Sequence, residues 1–338
     1  MNRSLISLCR PVRRGMPARM LRSQGFTLLE LLIAMTIGLV ILAASLLVYT
    51  SSSRGSRLSQ VETQLNEDGI LALNLIQQQI KQAGYSQQII PSGSGATVLG
   101  NYSGLAVRGC DHGFTDSGLA FDLLACASGT GPAALAIRYQ ATAENTLPTS
   151  GGNATNCIGN GILALTASQV SPMPTPAAGT FALADNRYFI TSSNGHSNLS
   201  CRGSESNGAA NIIGTSQPLL MDVEDVVIRY GVASQGSLEL ASTYDPLRHQ
   251  IVSYLSASDI EGLSLAGTIV DPTQNRWSRV LSVRVCLVMR SEQPVGDAPD
   301  GAFNYKACDN TDATSTDKYL RRAFTTTVLL RNRLIIQS

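Results

Sequence analysis

The chain has 338 residues, a length that permits one large domain or two smaller ones with a sizeable buried core. Its 25 basic and 24 acidic side chains nearly cancel, but six arginines and no acidic residue lie in the first 25 positions. Without that segment, 19 basic side chains face 24 acidic ones, which gives a net charge of −5. This balance argues against binding of nucleic acid, and we expect no nucleic acid partner.

An apolar run of 24 residues follows the basic segment, at positions 26–49, with Glu30 as its single charge. As a helix with ~1.5 Å rise per residue it spans roughly 36 Å, which crosses a hydrocarbon core of about 30 Å. An ordinary secretory signal has a shorter apolar region that ends at a small-residue cleavage site. The run therefore predicts one membrane-spanning helix, with the arginines on the cytoplasmic side and everything after Tyr49 beyond the membrane.

Glu30 is the anomaly of this span, because a carboxylate embedded in lipid is costly and needs compensation. If a leader of residues 1–25 is removed after Gly25, the new α-ammonium of Phe26 lies four residues before Glu30. In a helical array of such chains, the carboxylate of one subunit can face the ammonium of a neighbour. The pattern favours an assembly contact at Glu30, and the alternative is a plain signal-anchor helix that carries a chance glutamate.

Behind the span, apolar residues recur at helical spacing and predict an amphipathic second half of the same helix at residues 50–85. Gly84 is a natural stop signal for this helix. The apolar positions are Leu58, Val61, Leu65, Ala72, Ile76, Ile80 and Ala83.

Residues 86–338 are predicted to form a β-rich domain, since short β-prone segments alternate there with loops rich in Gly, Ser, Pro and Asn. The clearest alternation, at 280–290 and 323–331, predicts two central strands on which the helix packs. Further candidate strands are 105–108, 119–124, 135–140, 187–191, 223–232 and 249–255. The expected fold class is α+β: a long N-terminal helix on a mainly antiparallel sheet, with residues 141–186 as a loop-rich insertion.

The segment Arg22-Ser-Gln-Gly25-Phe26-Thr-Leu-Leu-Glu30 resembles the cleavage and methylation signature of type IV prepilins and of type II secretion pseudopilins. The signature combines a basic leader that ends in Gly, a Phe at the new N-terminus and a Glu at the fifth mature position, followed by an apolar helix. This resemblance implies that a prepilin peptidase cuts after Gly25 and that Phe26 becomes N-methylated. It also implies a pilin-like fold.

Five further segments resemble the PilW-type minor pilins, which are similar to J-type minor pseudopilins. They are Gln82-Ala-Gly-Tyr85, Pro218-Leu-Leu-Met-Asp-Val-Glu-Asp225, Arg229-Tyr-Gly231, Trp277 with Val283-Arg284-Val285, and Thr325-Thr-Thr-Val-Leu-Leu-Arg331-Asn-Arg333. The resemblance implies a non-enzymatic minor pilin that helps to start type IV pilus assembly and enters the filament near its tip through the N-terminal helix. The runner-up is a minor pseudopilin of type II secretion.

The resemblance also implies partners and a location. The partners are the prepilin peptidase, other minor pilins and the major pilin, with a tip adhesin as a further candidate. The protein passes from the inner membrane, with its N-terminus in the cytoplasm, into a surface filament of the kind used in twitching motility and cell adhesion.

Six cysteines outside the leader form an even set, as expected for disulfides in an oxidising compartment. None forms a C-x-x-C pair or stands near a histidine at metal-ligand spacing, which argues against a zinc or redox site. Buried free thiols are the alternative. Of 15 possible connectivities, pairing in chain order requires the least rearrangement, and the second of its pairs also resembles one in PilW-type proteins. The pairs are Cys110 with Cys126, Cys157 with Cys201, and Cys286 with Cys308.

The remaining chemistry-bearing residues form no complete catalytic constellation, and we expect neither an enzyme nor a cofactor or metal. Ser315 and Lys318 have S-x-x-K spacing but no companion motif. Three histidines lie in separate segments: His112, His196 and His249. A calcium site is the alternative for the acidic loop of Asp297, Asp300, Asp309, Asp312 and Asp317, although the spacing is not that of an EF-hand. We interpret four C-terminal arginines as polar positions in or beside a strand, and a DNA-binding patch is the alternative. They are Arg321, Arg322, Arg331 and Arg333.

Overall fold

A computed structural model of the chain describes residues 25–89, 99–100, 104–166, 180–193, 195–236, 246–265, 271–296, 298–299 and 301–333. The helices are α1 Leu28–Gln82, α2 Pro246–His249, α3 Ala257–Glu261 and α4 Pro272–Trp277. The strands are β1 Gln88–Ile89, β2 Leu99–Gly100, β3 Val107–Cys110, β4 Ala134–Ala141, β5 Leu165–Thr166, β6 Thr180–Ser193, β7 His196–Ser206, β8 Asn211–Ile213, β9 Gln217–Met221, β10 Val223–Val232, β11 Ser253–Leu255, β12 Val280–Arg290, β13 Asn304–Lys306, β14 Asp312–Thr314 and β15 Arg321–Leu329.

The chain divides into two compact units, residues 1–55 and 56–338. The described part of the first unit is the start of α1, which is long and apolar enough to cross a membrane. The second unit holds the rest of α1 and all the strands. The amphipathic half of the helix therefore belongs to the same compact unit as the β-rich region.

In the second unit, α1 buries one stripe of small and apolar side chains. Leu65, Gly69, Ala72, Ile76 and Ile80 recur every three or four residues and are the buried positions of the helix, as expected for one face of an amphipathic helix. The helix ends at Gln82, and Gly84 adopts a left-handed conformation with φ of 76°. A glycine tolerates this conformation without a Cβ clash, which confirms the predicted stop.

The strands form two main antiparallel sheets. One has seven strands, in the order β3-β4-β6-β7-β8, with β5 paired to β6 and β9 paired to β7. The other has four strands, in the order β11-β10-β12-β15. Two small hairpins, β1-β2 and β13-β14, are separate from them.

The hydrophobic core lies where the helix stripe meets both main sheets. Ile76 of α1, Leu135 and Tyr188 of the seven-stranded sheet, and Val226 and Val285 of the four-stranded sheet line the same small void. The Tyr188 hydroxyl donates a 2.8 Å hydrogen bond to Gln79 Oε1 of the helix. Because three elements share one core, loss of the helix face would expose apolar surface on both sheets.

The α+β class, the long helix and the antiparallel sheet agree with the sequence prediction. Strands β10 and β12 have the predicted bounds, 223–232 and 280–290. Strands β3, β4 and β15 lie within a few residues of their predicted positions. β12 is a central strand, but β15 is the edge strand of its sheet and was wrongly expected to be central.

Three other local predictions were wrong. The segment 119–124 contains the 3₁₀ helix Phe121–Leu123, in which Phe121 is fully buried, instead of a strand. Within 249–255 only Ser253–Leu255 is a strand, since α2 ends at His249. Residues 180–186 of the expected insertion belong to β6, a central strand of the larger sheet.

The seven-stranded sheet has a second face that is polar and buried. Arg187 is fully buried and forms a bidentate ion pair with Asp185, at 3.0 and 2.9 Å. Arg138 joins the same carboxylate at 3.3 Å and lies 4.3 Å from the ring centroid of Phe121. The segment 111–127 covers this face, and its Ser117 carbonyl accepts a bond from Arg187. Hydrogen bonds and an opposite charge thus compensate buried cations that would otherwise be costly.

Gly69 allows α1 to approach the four-stranded sheet closely. A Cβ atom at this position would clash with the Phe324 ring on β15, because it would lie well inside the van der Waals contact distance. We expect Gly69→Leu to destabilise the protein by about 1–3 kcal/mol, because overpacking forces the helix or the ring to move. Thermal unfolding of the full chain in detergent measures this effect.

Gly55→Leu is the matched control, since nothing lies within 4 Å of a Cβ at that helical position. The control should be neutral or stabilising by up to about 1 kcal/mol, the difference in helix propensity. Equal melting temperatures for the two variants would contradict a tight contact at Gly69.

Candidate functional site

The predicted cleavage point lies just before α1 and is accessible. Gly25, Phe26 and Thr27 precede the first helical residue, Leu28, and all three are exposed. Phe26 has 86% of its surface exposed, and nothing lies within 4 Å of a Cβ built on Gly25. The bond between Gly25 and Phe26 is therefore open to a peptidase.

Glu30 caps the start of the helix. Its carboxylate accepts bonds from the Thr27 backbone N–H at 2.9 Å and from the Thr27 hydroxyl at 3.1 Å. The Glu30 N–H in turn donates to the Thr27 hydroxyl at 3.2 Å. This reciprocal pattern is a capping box, which satisfies two free donors at the helix start.

The capping box shows a role for Thr27 that the sequence analysis missed. Thr27-Leu-Leu-Glu30 has the T-x-x-E spacing of a capping box, so the signal was present in the sequence. The Glu30 carboxylate thus has partners within its own chain. The Thr27 donors give the Glu30 carboxylate hydrogen bonds but do not neutralise its negative charge. An α-ammonium from a neighbouring subunit could still form an ion pair with it.

The helix that follows this site exposes its apolar side chains on every face. Leu28, Met35, Leu39, Val40 and Leu47 are each at least 67% exposed. A helix that is hydrophobic all round is stable only when lipid or other helices surround it. This surface can therefore enter a membrane or pack against the helices of an assembly.

Three disulfide bonds join the same pairs that chain order predicts. Their Cα–Cα distances are 5.1 Å for Cys110–Cys126, 6.4 Å for Cys157–Cys201 and 5.7 Å for Cys286–Cys308. All three distances lie in the usual range for disulfides.

Each disulfide fastens an irregular segment to a strand. Cys110–Cys126 holds segment 111–127 against the buried arginine face. Cys157–Cys201 ties the segment after β4 to β7, and Cys286–Cys308 ties the loop between β13 and β14 to β12. The bonds therefore hold in place the parts of the β-rich unit that have few strand hydrogen bonds of their own.

The three histidines lie apart, as the sequence analysis expected. His112 contacts the Gly131 carbonyl at 3.3 Å, and His196 contacts Asp222 at 2.8 Å. His249 is the last residue of α2. Among the described residues, neither the His112 ring nor the His196 ring forms a hydrogen bond with a serine or cysteine side chain.

The acidic loop does not gather its carboxylates around a common point within the described residues. Asp309 accepts bonds from Thr311, and these bonds hold the pKa of Asp309 below its usual range. Asp312 pairs with Lys306 at 2.7 Å. Asp297 and Asp300 lie outside the described residues. Among the residues that are described, no group of three or more His, Cys, Asp or Glu side chains is placed to hold a metal ion.

Arg321 is the centre of an ion network that includes two other candidate residues, Ser315 and Asp317. It pairs with Asp317 at 2.6 Å and with Glu224 at 2.5 Å. Its hydrogen bond holds the pKa of Asp317 well below the usual range. The Ser315 hydroxyl bonds to Asp317 and Arg321, so Ser315 is held by this network and has no bond to Lys318.

The other C-terminal arginines fit strand and helix-end positions. Arg322 donates to Asn66 Oδ1 of α1, which joins β15 to the helix. Arg331 and Arg333 bound the short 3₁₀ helix Arg331–Arg333 after β15.

Comparison with known families matches two parts of the chain. The family model of the type IV pilus-assembly protein W matches residues 187–332. The model of the prokaryotic N-terminal methylation motif matches residues 20–46. No curated protein and no solved structure matches the chain. The first match covers β6 to β15 apart from the start of β6, and the second covers the predicted cleavage point and Glu30.

We predict cleavage between Gly25 and Phe26. N-terminal sequencing of membrane-extracted protein should read Phe-Thr-Leu-Leu-Glu, because Gly25 ends the basic leader and the bond is exposed. A mature terminus beyond residue 40 would instead indicate an ordinary secretory signal.

We also predict that the longer disulfide loop contributes more stability. Cys157 and Cys201 are separated by 44 residues, whereas Cys110 and Cys126 are separated by 16. Replacing both members of a pair by Ala should cost about 4 kcal/mol for the first pair and about 3 kcal/mol for the second, from loop-closure entropy. Denaturant unfolding of the full chain in detergent measures both. The reverse order would mean that native packing outweighs loop entropy.

Proposed function

Since the chain belongs to the PilW-type proteins of type IV pili, we propose that it is a minor pilin that helps to start pilus assembly. It enters the filament near the tip through its N-terminal helix. It acts by assembly and not by catalysis.

The continuity of α1 is the observation that carries this proposal. One helix, Leu28–Gln82, begins beside the exposed cleavage point and ends with a stripe buried in the β-rich unit. Its first part exposes apolar side chains on all faces, which suits lipid before assembly and neighbouring helices afterwards. The same element can therefore anchor the subunit and support the domain that it carries.

The proposed route begins in the inner membrane, with the basic leader on the cytoplasmic side. The prepilin peptidase removes the leader and methylates Phe26. Other minor pilins and the major pilin then contact the apolar helix. The three disulfides are consistent with a domain that matures beyond the membrane, where thiols oxidise.

The N-terminal signature is common to type IV pilins and to type II secretion pseudopilins, so the decisive experiment scores both systems. Deletion of the gene should abolish or sharply reduce surface piliation and twitching, and leave protein secretion intact. Full piliation in the deletion strain would refute the proposal. Loss of secretion alone would assign the chain to type II secretion.

We predict that Glu30→Val leaves processing and membrane insertion intact but removes the protein from sheared pili. The substitution removes a charge that is costly in lipid while it deletes the proposed contact with a neighbouring α-ammonium. Immunoblots of sheared filaments and of membranes, in the complemented deletion strain, measure incorporation and insertion separately.

Thr27→Ala is the matched control for this experiment. It removes the hydroxyl that bonds to Glu30 and to its N–H, but keeps the carboxylate. Retained incorporation of Thr27→Ala beside lost incorporation of Glu30→Val would assign the effect to the charge. If both variants are lost equally, helix capping is responsible; if Glu30→Val stays in pili at wild-type levels, Glu30 has no assembly role.

A further inference from the structure

The edge strands of the two main sheets differ in how they are protected. The edges of the seven-stranded sheet are short, with four residues in β3, three in β8 and two in β5, and β9 contains Pro218. In the four-stranded sheet, β11 has three residues, whereas β15 at the opposite edge has nine. Short strands and prolines are the usual means by which proteins block unwanted pairing at an edge. β15 lacks both.

The unpaired backbone groups of β15 can be assigned from its register. The Leu330 N–H bonds to the Leu281 carbonyl, and the Ser291 N–H bonds to the Leu320 carbonyl. These bonds lie just beyond the two ends of β15, whose nine residues pair with β12 without a register shift. Hydrogen-bonded and non-hydrogen-bonded pairs alternate along an antiparallel ladder. The even-numbered residues of β15 therefore bond to β12, and the odd-numbered ones point their N–H and C=O groups away from the sheet.

Within residues 323–329, the outward groups belong to Ala323, Thr325, Thr327 and Leu329. No hydrogen bond to their backbone groups from another described residue is present beyond the strand. Thr325, Thr327 and Leu329 are exposed, Leu329 by 54%. The β13-β14 hairpin nearby forms a sheet of its own and does not pair with β15. Within the described residues, the outer row of β15 is thus a regular array of unpaired donors and acceptors.

Residues 323–329 also lack the charged side chains that disfavour pairing at the edge of a sheet. This stretch, Ala-Phe-Thr-Thr-Thr-Val-Leu, contains no charged residue, no proline and no bulge. Its threonines and valine have high β propensity. Such an edge is a template for pairing with a strand of another chain.

We propose that the free edge of β15 is a docking site for an extended strand from a different pilin-type subunit. The docked strand would run antiparallel and bond to the backbone of Ala323, Thr325, Thr327 and Leu329. It would be uncharged where it faces 323–329, because that stretch offers no counter-charge. This inference rests on the proposed function, since it assumes neighbouring filament subunits.

The geometry argues against a second copy of this chain as the occupant. Two β15 strands that paired antiparallel would be related by a two-fold axis perpendicular to the sheet. Because residues 56–82 of α1 pack along the face of that sheet, the axis would also reverse the direction of this part of the helix. Subunits of one filament enter from the same membrane, so their helices should run the same way. A different subunit that supplies another strand is not bound by this two-fold relation.

The test uses photo-crosslinking in intact, piliated cells that carry the full chain. A benzophenone amino acid replaces Thr327, next to the proposed docked strand. A second probe replaces Leu147, which is 86% exposed and lies on the segment after β4. We expect the Thr327 probe alone to give one product with another filament subunit, mapped by mass spectrometry to an extended segment.

Three variants at Thr325 separate backbone pairing from side-chain contact. Thr325→Pro deletes one outward N–H and no bond to β12, Thr325→Lys places a charge at the edge, and Thr325→Val keeps the N–H and the β-branched shape. The crosslink should fall by up to about tenfold per lost backbone bond in the Pro variant, fall similarly in the Lys variant, and persist with Val. Since Thr325 lies opposite Cys286, an intact Cys286–Cys308 bond reports native folding. If the Pro variant loses that disulfide, the crosslink of the Lys variant is used to test the proposal.

Several outcomes would overturn the proposal: equal crosslinking in all three variants, a product with a second copy of the chain, or no product above that of the Leu147 probe. These results are independent of the deletion experiment. Loss of piliation on deletion, combined with an absent Thr327 crosslink, would refute the edge proposal and leave the proposed function standing. Normal piliation on deletion would refute the function whatever the crosslink shows.

Discussion

The burial of one helical stripe on two sheets is the contact on which the β-rich unit depends. Leu65, Gly69, Ala72, Ile76 and Ile80 place small or apolar groups along one face of α1, and both sheets complete the same core around it. A four-stranded sheet with one apolar face needs a second layer to cover it. The helix supplies that layer and is at the same time the continuation of the apolar N-terminal segment.

This arrangement links the two requirements of a filament subunit. The first part of α1 must be apolar on all sides to lie in lipid and then among other helices, whereas the second part needs a single apolar face. The capping box of Thr27 and Glu30 starts the helix at the residues that follow the predicted cleavage point. The domain can then vary in its surface without any change in the helix that we propose enters the filament.

The disulfides and the buried charges stabilise the parts that the helix does not reach. Arg187 and Arg138 share Asp185 beneath segment 111–127, and Cys110–Cys126 fastens that segment. Removal of the carboxylate would leave two buried cations without a counter-charge. On the four-stranded sheet, by contrast, β15 leaves its outer backbone groups unsatisfied by the described residues, and this difference points to the edge as a surface for a partner.

Periodicity and composition alone determined the helix, its stop at Gly84, strands β10 and β12, and the even set of cysteines, because these signals are local along the chain. The sequence also determined the resemblance at Gly25, Phe26 and Glu30. Strand β7 was not predicted, because its Ser, Asn and Gly residues are typical of a loop. Its strand conformation depends on pairing with β6 and β9. Only the tertiary structure decided that β15 is an edge strand, because the order of strands in a sheet depends on residues far apart in sequence. It also decided that Arg187 is buried beside Asp185, because segment 111–127, which is distant in sequence, covers this ion pair.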